Sequence, residues 1–234
     1  MLRHMRLALF ASALLAFGTL TPVARAAEPL PDCRIDDVLT VHAATSEWRR
    51  SVLDTIYMLP DTYAPPVLVS TSRARLNGGY LIRKRVIPDL RALGDAARTA
   101  GVGLMVRSAY RSYRRQQTVF QSEVDAYGYE TAITQSARPG HSEHQLGTTV
   151  DFQGVSDTVA PWNHDDWGAT PAGQWMRENA WKYGWLMSYP GGRESTTCYA
   201  YEPWHYRYVG RDVAAAVQAS GLTVREYLWM HQGH

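Results

Sequence analysis

Apolar side chains recur at helical spacing in several stretches of the chain. The clearest is Val86–Ala100, followed by Gly101 at the expected helix end, with its apolar stripe on Ile87, Leu90, Leu93, Ala97 and Ala100. The same spacing predicts helices over 42–59 (stopped by Pro60), 114–127 and 174–183. A capping box from Thr223 to Glu226 predicts a last helix through Met230.

Shorter apolar runs and alternating stretches predict strands at 67–69, 104–106, 147–152, 185–189 and 204–209. In 147–152, alternation places Thr149 and Asp151 on one face. In 204–209, it separates the aromatic residues from His205 and Arg207. Residues 154–173 read as loop, as does the stretch that ends at 138–140. With no repeat and no long linker, residues 27–234 are expected to form a single α+β domain.

The first 26 residues have the order of a secretory signal peptide. Arg3 and Arg6 precede an apolar run over 7–20, and Ala24-Arg25-Ala26 forms a cleavage site. The run is short for a membrane span, which leaves an uncleaved anchor helix as the alternative. The sequence therefore predicts export to the periplasm or the medium, without stable membrane insertion after cleavage.

Composition and charge narrow the class further. The chain has 234 residues, 45% hydrophobic and 20% charged, which suits one globular domain with a full core. Loss of residues 1–26 removes three arginines and no acid, so the net charge falls from +2 to −1. No basic stripe remains to bind nucleic acid. A monomer is expected.

Two cysteines occur, Cys33 and Cys198. In an exported protein this pair predicts a disulfide, which would tie the N-terminal segment beside the 204–209 strand; two unpaired thiols are the alternative. Cysteine-ligated zinc is not expected, because the two residues are not closely spaced.

The chemistry concentrates in two stretches. His144 and Asp151 lie seven residues apart, and Glu202 and His205 follow at E-x-x-H spacing. Two imidazoles and a carboxylate can hold Zn²⁺ with one position open, and a further carboxylate can act as general base. His144, Asp151 and His205 are therefore predicted ligands and Glu202 the base. The same ligand set can hold iron for oxygen chemistry, but a glutamate base in an exported protein favours hydrolysis.

Other polar residues are weaker candidates. The planar guanidinium of Arg111 can bind a carboxylate or an oxyanion. The alternative is that Arg111 is one of several surface arginines. Gln116 follows five residues on, in the predicted helix. His141 is expected to be a solvated loop histidine, with a role beside the metal as the alternative, and 164–166 a solvated charged turn. Four tryptophans are either core residues or part of the lining of a glycan-bearing groove: Trp162, Trp167, Trp181 and Trp185.

Three segments together carry a family resemblance. The run Ser142-x-His144-x-x-Gly147-x-Thr149-x-Asp151 resembles the S-x-H-x-x-G-x-A-x-D signature of VanY-type zinc D-alanyl-D-alanine carboxypeptidases. The stretch 202–206 is similar to their E-x-W-H segment, and 108–116 to their S-x-Y-R-S-x-x-x-Q element. The resemblance covers roughly residues 55–230. It implies a hedgehog-like fold, with a mainly antiparallel central sheet that carries the zinc site between flanking helices.

The resemblance also implies roles. His144, Asp151 and His205 would bind zinc, and Glu202 would be the catalytic base. Arg111 would stabilise the oxyanion or grip the peptide, while Ser142 and Gln116 would hold the substrate's terminal carboxylate and amide. Thr149 departs from the usual alanine; its hydroxyl would either bond a zinc ligand or narrow the pocket.

The expected function is removal of a terminal D-alanine from peptidoglycan stem peptides, at a D-Ala-D-Ala or an L,D-type end. A cross-bridge endopeptidase is the nearest enzymatic alternative. A catalytically silent zinc-containing cell-wall binding module is the alternative from another class. Glu202 distinguishes the classes, because a binding module has no need of a free carboxylate at that position.

Overall fold

A computed structural model describes residues 29–40 and 48–231; the predicted signal peptide lies outside them. The strands in these ranges are β1 (Val38–Leu39), β2 (Tyr57–Met58), β3 (Leu68–Ser70), β4 (Leu81–Arg83), β5 (Leu104–Ser108), β6 (Thr149–Gly154), β7 (Trp185–Met187) and β8 (His205–Tyr208). The α-helices are α1 (Ile87–Thr99), α2 (Tyr113–Tyr127), α3 (Tyr129–Gln135), α4 (Pro171–Asn179), α5 (Glu194–Thr197), α6 (Arg211–Ser220) and α7 (Val224–Met230).

The central sheet has the strand order β5-β6-β8-β7, and each neighbouring pair is antiparallel. Alternation gives it an apolar and a polar face. The apolar face joins the largest core cluster, with Val150, Phe152, Trp185 and Tyr206 packed among residues of α1 and α4. Asp151 pairs with His205 in the β6–β8 ladder, so the polar face brings these two side chains together. The predicted α+β class and antiparallel sheet are confirmed.

Several predicted helices are confirmed close to their expected bounds. The apolar stripe of α1 is buried, from Ile87 to Ala97. Ser112 caps α2, and Gly128 ends it. The predicted capping box opens α7, where the Thr223 hydroxyl accepts from Glu226 N at 3.2 Å and the Glu226 carboxylate accepts from Thr223 N at 2.7 Å. None of the helices in the described ranges combines the length and apolarity needed to cross a bilayer.

The helix predicted over 42–59 is wrong where the structure describes it. Residues 48–59 form turns and the short strand β2, although Val52, Leu53, Ile56 and Leu59 are buried as an apolar stripe requires. The Asp54 carboxylate accepts from the backbone N–H groups of Ile56 and Tyr57, which closes a turn. A side-chain partner for the backbone thus competes with the helix. Residues 42–47 of this prediction lie outside the described ranges.

Three helices are missing from the sequence prediction: α3, the one-turn α5 and α6. α3 occupies part of the stretch predicted as loop before residue 138, and α6 follows β8 directly. α6 buries Ala214 and Val217 in a second apolar cluster together with Val52 and Leu186. This cluster covers the sheet edge at β7.

The N-terminal segment is fastened to the domain at several points. Cys33 and Cys198 form the predicted disulfide, with Cα atoms 5.3 Å apart. Arg225 donates to the Pro31 carbonyl at 3.0 Å, and Arg138 donates to the Asp36 carbonyl at 2.6 Å. β1 then pairs in parallel with β2. The segment is thereby held beside α5 and Cys198.

Candidate metal centre

Three side chains converge on the polar face of the sheet. His144, Asp151 and His205 are almost fully buried, and one potential ligand atom from each lies within 4.8 Å of the others. Asp151 and His205 come from paired positions of β6 and β8, while His144 comes from a 3₁₀ turn, Glu143–Leu146, just before β6. Gly147 ends that turn with a φ of 70°, and a Cβ there would lie 2.9 Å from the Pro65 ring. The glycine therefore lets the chain turn sharply between two ligands.

The hydrogen-bond partner of the His144 ring determines which of its two nitrogens faces the metal site. Nδ1 lies 2.6 Å from the Ala109 carbonyl oxygen, which can only accept, so Nδ1 carries the proton. Nε2 then has a free lone pair, 3.2 Å from Asp151 Oδ2.

His205 has the opposite arrangement. Its Nε2 lies 3.0 Å from Oε2 of the buried Glu143 carboxylate. Its Nδ1 lies 3.2 Å from Asp151 Oδ1 and 3.3 Å from Glu202 Oε2. Nδ1 is thus the nitrogen that His205 offers to the site.

The donor set fits a metal ion. His144 Nε2 and Asp151 Oδ1 are buried and have no hydrogen-bond partner. Buried polar atoms in folded proteins nearly always have one, so these two atoms require a further group between them. Two imidazole nitrogens and one carboxylate form a three-ligand set of the kind that holds catalytic zinc.

Burial and neighbouring charges shift the pKa of each of the three converging side chains. Burial and the nearby Arg111 guanidinium lower the pKa of His144 to about 4. Burial raises the pKa of Asp151, but the two imidazoles outweigh it and hold that pKa well below its usual value. Burial lowers the pKa of His205, but the facing carboxylates of Asp151, Glu143 and Glu202 dominate and raise it well above 6.5.

Glu202 lies beside the cluster without belonging to the three-ligand set. Burial raises the pKa of its carboxyl above the ordinary 4.5, although His205 opposes the shift. Its backbone N–H donates to the Tyr189 carbonyl at 3.1 Å, and its carbonyl accepts from His205 N at 3.1 Å. Glu202 and His205 are therefore locked into one turn.

Arg111 follows β5, and its backbone N–H donates to the His144 carbonyl at 3.3 Å. Burial lowers the pKa of its guanidinium, and the charges of Asp151 and Glu202 oppose that shift. Arg111 is therefore a partly buried residue near the cluster, where its guanidinium interacts with the charges of Asp151 and Glu202.

Two other predicted residues are buried near these elements. Ser142 immediately precedes the 3₁₀ turn and is 2% exposed. Gln116, in α2, is also buried; its Nε2 donates to the Ala137 carbonyl at 2.7 Å, and its Oε1 has no partner. The amide oxygen therefore remains available to accept a hydrogen bond from a ligand.

The remaining candidates from the sequence differ in burial and in hydrogen bonding. Thr149 lies on the polar face, and its buried hydroxyl makes no hydrogen bond, so it does not bond a ligand side chain. His141 is buried, not solvated: Nδ1 lies 2.7 Å from the Asp54 carbonyl and Nε2 3.0 Å from Asp37 Oδ1. Trp167 and Trp185 are fully buried core residues, whereas Trp162 is 48% exposed.

Sequence reasoning missed Glu143. This carboxylate accepts from Arg207 at 2.8 Å and from Ser188 at 2.6 Å, besides facing His205. Burial opposes its ionisation, but Arg207, His205 and Ser188 lower its pKa to about 2. One signal was present: alternation puts Arg207 on the same face as His205, and a buried arginine needs an acidic partner.

Tyr189 was predicted only as the end of a strand. Its ring packs on His205, with centroids 4.7 Å apart, and Tyr199 packs on Tyr189 at 5.1 Å. Burial raises the pKa of the Tyr189 phenol well above 10, so it stays protonated. Tyr189 and Tyr199 thus form an aromatic column that packs against the His205 ring.

Comparison with known proteins places these features in a family. The family model for VanY, D-alanyl-D-alanine carboxypeptidase, matches residues 79–211. A putative carboxypeptidase YodJ of Bacillus subtilis (strain 168) is 39% identical over 176 residues, 73% of this chain and 63% of that protein. A D-alanyl-D-alanine carboxypeptidase of Enterococcus faecalis is 34% identical over 172 residues, 70% of this chain and 61% of that protein. The chain thus spans about three fifths of the length of these relatives.

Solved structures agree. The LdcB LD-carboxypeptidase matches with a TM-score of 0.69 and 36% identity, covering 76% of this chain and 85% of that one. A VanY D,D-pentapeptidase in complex with Zn(II) matches with a TM-score of 0.66 and 33% identity, covering 78% of this chain and 99% of that one. VanYB in complex with D-alanine-D-alanine gives a TM-score of 0.67 and 33% identity, covering 80% of this chain and all of that one (100%).

The zinc in one of these structures favours zinc over iron for the ligand set found here. The matched region contains Arg111, all three converging ligands and Glu202. The chain belongs to the VanY family of D-alanyl-D-alanine carboxypeptidases.

Proposed function

We propose that this chain is an exported zinc carboxypeptidase that removes a terminal D-alanine from peptidoglycan stem peptides. The observation that carries the proposal is the position of Glu202, whose Oε2 lies 3.3 Å from the nitrogen that His205 offers to the metal. A carboxylate at that distance, outside the three-ligand set, is where a general base for hydrolysis is needed.

In this proposal His144 Nε2, Asp151 and His205 Nδ1 hold the zinc ion. When bound, zinc supplies Lewis-acid chemistry: it lowers the pKa of water and polarises a carbonyl oxygen. Glu202 takes a proton from the attacking water as the water oxygen bonds to the peptide carbon. It then delivers that proton to the leaving nitrogen as the C–N bond breaks. The raised pKa of Glu202 suits both steps, because it brings the carboxyl closer to working pH.

Arg111 is proposed to stabilise negative charge on the substrate. Its guanidinium stays near Asp151 and Glu202, and burial strengthens its field at the reacting carbonyl. Ser142 and the Oε1 atom of Gln116 are proposed to hold the terminal carboxylate and amide, respectively. An amide oxygen accepts hydrogen bonds, so the Gln116 partner would be an N–H group of the substrate.

Two substrate ends are supported by relatives. VanYB was solved with D-alanine-D-alanine, and the LdcB structure is that of an LD-carboxypeptidase. A carboxypeptidase acts on a chain end with a free carboxylate, which is the feature that the proposed polar lining would recognise. Thr149 adds a hydroxyl and a methyl group on the polar face of the sheet. We propose that it affects the choice between D,D-type and L,D-type substrate ends.

The proposed compartment is the periplasm or the medium. Residues 1–26 have the pattern of a secretory leader, and the Cys33–Cys198 disulfide suits an oxidising compartment. All proposed site residues come from one chain, so a monomer suffices for activity.

The test uses zinc-loaded protein and defined muropeptides with tetrapeptide, pentapeptide and cross-linked stems. Free D-alanine from the pentapeptide identifies D,D-activity, and free D-alanine from the tetrapeptide identifies L,D-activity. Release of an internal fragment without free D-alanine would replace the proposal with the endopeptidase. Zinc binding without turnover on any substrate would replace it with the silent binding module.

A further inference from the structure

The buried carboxylate of Glu143 receives three donors. Oε2 accepts from Ser188 Oγ at 2.6 Å and lies 3.0 Å from His205 Nε2, while Oε1 accepts from Arg207 Nη1 at 2.8 Å. Ser188 and Arg207 are buried as well. Glu143 precedes a metal ligand in sequence but turns its side chain to a different one.

We infer that Glu143 is a positioning residue of the metal centre, which fixes the tautomer and orientation of His205 so that Nδ1 faces the ion. The inference rests on the metal site of the proposed function and deepens it. An ionised carboxylate can only accept, so it holds the His205 proton on Nε2. Asp151 and Glu202 both lie on the Nδ1 side of the ring. A carboxylate behind a ligating imidazole also raises the basicity of the ligand.

Arg207 links the Glu143 carboxylate to the backbone of residues 48–51, which precede the central sheet in the sequence. It lies two residues after His205 on the same face of β8, so the strand that carries the ligand also carries the counter-ion of its orienting carboxylate. Its Nη2 donates to the carbonyls of Trp48, Arg49 and Ser51, the last at 2.7 Å. The position of Glu143 therefore depends, through Arg207, on the backbone of residues 48–51 as well as on the sheet.

A purely structural role must be separated from positioning, because breaking any buried ion pair destabilises a fold. The chain offers a matched control. Asp54 is equally buried, pairs with Arg225 at 2.6 Å and accepts from two backbone N–H groups. Among the described residues, its side chain makes no hydrogen bond or ion pair with His144, Asp151 or His205.

Glu143→Gln is informative because glutamine has one acceptor oxygen where glutamate has two. Its amide NH₂ must point at either His205 Nε2 or Arg207 Nη1, both of which are donors. The variant is expected to weaken zinc binding about 10- to 100-fold. Asp54→Asn is expected to lower the unfolding temperature comparably but to leave the zinc dissociation constant within about threefold of the parent.

The measurement is a zinc titration in competition with a chromophoric chelator on the purified chain, with the visible spectrum of the Co²⁺-substituted protein as a second readout. Co²⁺ absorption reports ligand geometry, so Glu143→Gln should change it and Asp54→Asn should not. An unchanged zinc affinity for Glu143→Gln would overturn the inference. Equal losses of affinity in both variants would also overturn it.

Ser188→Ala covers the case in which Glu143→Gln does not fold. It removes one donor from Oε2 and leaves the ion pair with Arg207 intact. Zinc affinity should then fall several-fold with an altered Co²⁺ spectrum, and an unchanged affinity and spectrum would count against positioning. A parent protein that binds zinc but cleaves no muropeptide would end the proposed function while leaving this inference standing.

Discussion

The imidazole rings of His144 and His205 meet at 90°, with centroids 5.0 Å apart. The two residues present different nitrogens to the space between them, because one ring donates to a carbonyl through Nδ1 and the other faces a carboxylate through Nε2. Asp151 contacts both rings: its Oδ2 lies 3.2 Å from His144 Nε2, and its Oδ1 lies 3.2 Å from His205 Nδ1. The metal site is thus organised by the partners of the histidines as much as by the ligands.

Glu202→Gln should abolish hydrolysis while leaving zinc in place. Glutamine keeps the size of the side chain but cannot accept a proton at neutral pH, and loss of a general base typically costs about 10²–10⁴ in rate. The measurement is kcat for D-alanine release together with zinc content per chain. Full activity would remove Glu202 from the mechanism, and loss of zinc would make it a structural residue.

Zinc binding should release about one proton at pH 7. Without metal, the three facing carboxylates raise the pKa of His205 well above 6.5, whereas burial and the Arg111 charge lower the pKa of His144 to about 4. Only His205 therefore carries a proton that zinc must displace from Nδ1. Zinc affinity should rise about tenfold per pH unit between roughly pH 5 and 7, and weaken as the pH falls.

Calorimetry in buffers of different ionisation enthalpy measures that proton, and chelator competition at several pH values measures the slope. A slope of two would mean that both imidazoles are protonated in the metal-free protein. Removal of zinc with a chelator should abolish activity, and stoichiometric zinc should restore it.

Arg111→Met should reduce kcat/KM by about 10²–10³-fold if the guanidinium stabilises the developing oxyanion, because such a donor acts mainly in the transition state. Zinc content should not change. A rise in KM at constant kcat would instead assign Arg111 to gripping the peptide. Arg111→Lys separates charge from shape: it keeps the charge but loses the planar fork, and partial recovery is expected.

The convergence of Asp151 and His205 is predictable in part from the sequence, because it depends on the alternation of side chains within each strand. Alternation in β6 and β8 fixes the faces of Asp151 and His205, and the ladder then places the two side chains opposite each other. α1 and α7 were equally accessible, since a long apolar stripe and a capping box are local signals. These features survive in the structure with boundary shifts of one or two residues.

Except for α6, the features that the sequence analysis missed depend on distant partners. The stripe over 52–59 is buried as predicted, but Arg207 takes the carbonyls of residues 48, 49 and 51 and Asp54 closes a turn. Glu143 reads as a surface acid until Ser188 and Arg207, 45 and 64 residues away, are brought to it. α6 had local signals, with Gly210 and Gly221 at its ends and Ala214 and Val217 on one face.

Replacing both cysteines, Cys33→Ser with Cys198→Ser, should lower the free energy of unfolding by up to about 5 kcal/mol. The two residues are 165 positions apart, and the chain-entropy model gives a value of this size for a loop of that length. The folded state should persist, because Arg225 and Arg138 still bind the carbonyls of Pro31 and Asp36. The measurement is denaturant-induced unfolding with and without reductant. Reductant should shift the parent toward the variant and leave the variant unchanged.

Activity per folded molecule tests a separate connection: Tyr199 follows Cys198 and packs on Tyr189, which packs on His205. If the disulfide only anchors the N-terminal segment, kcat should stay within about twofold of the parent, since Glu143 still holds Nε2 of His205 and the Glu202 carbonyl still accepts from its backbone N–H. A large fall in kcat at unchanged zinc content would mean that the aromatic column also sets the position of that ligand.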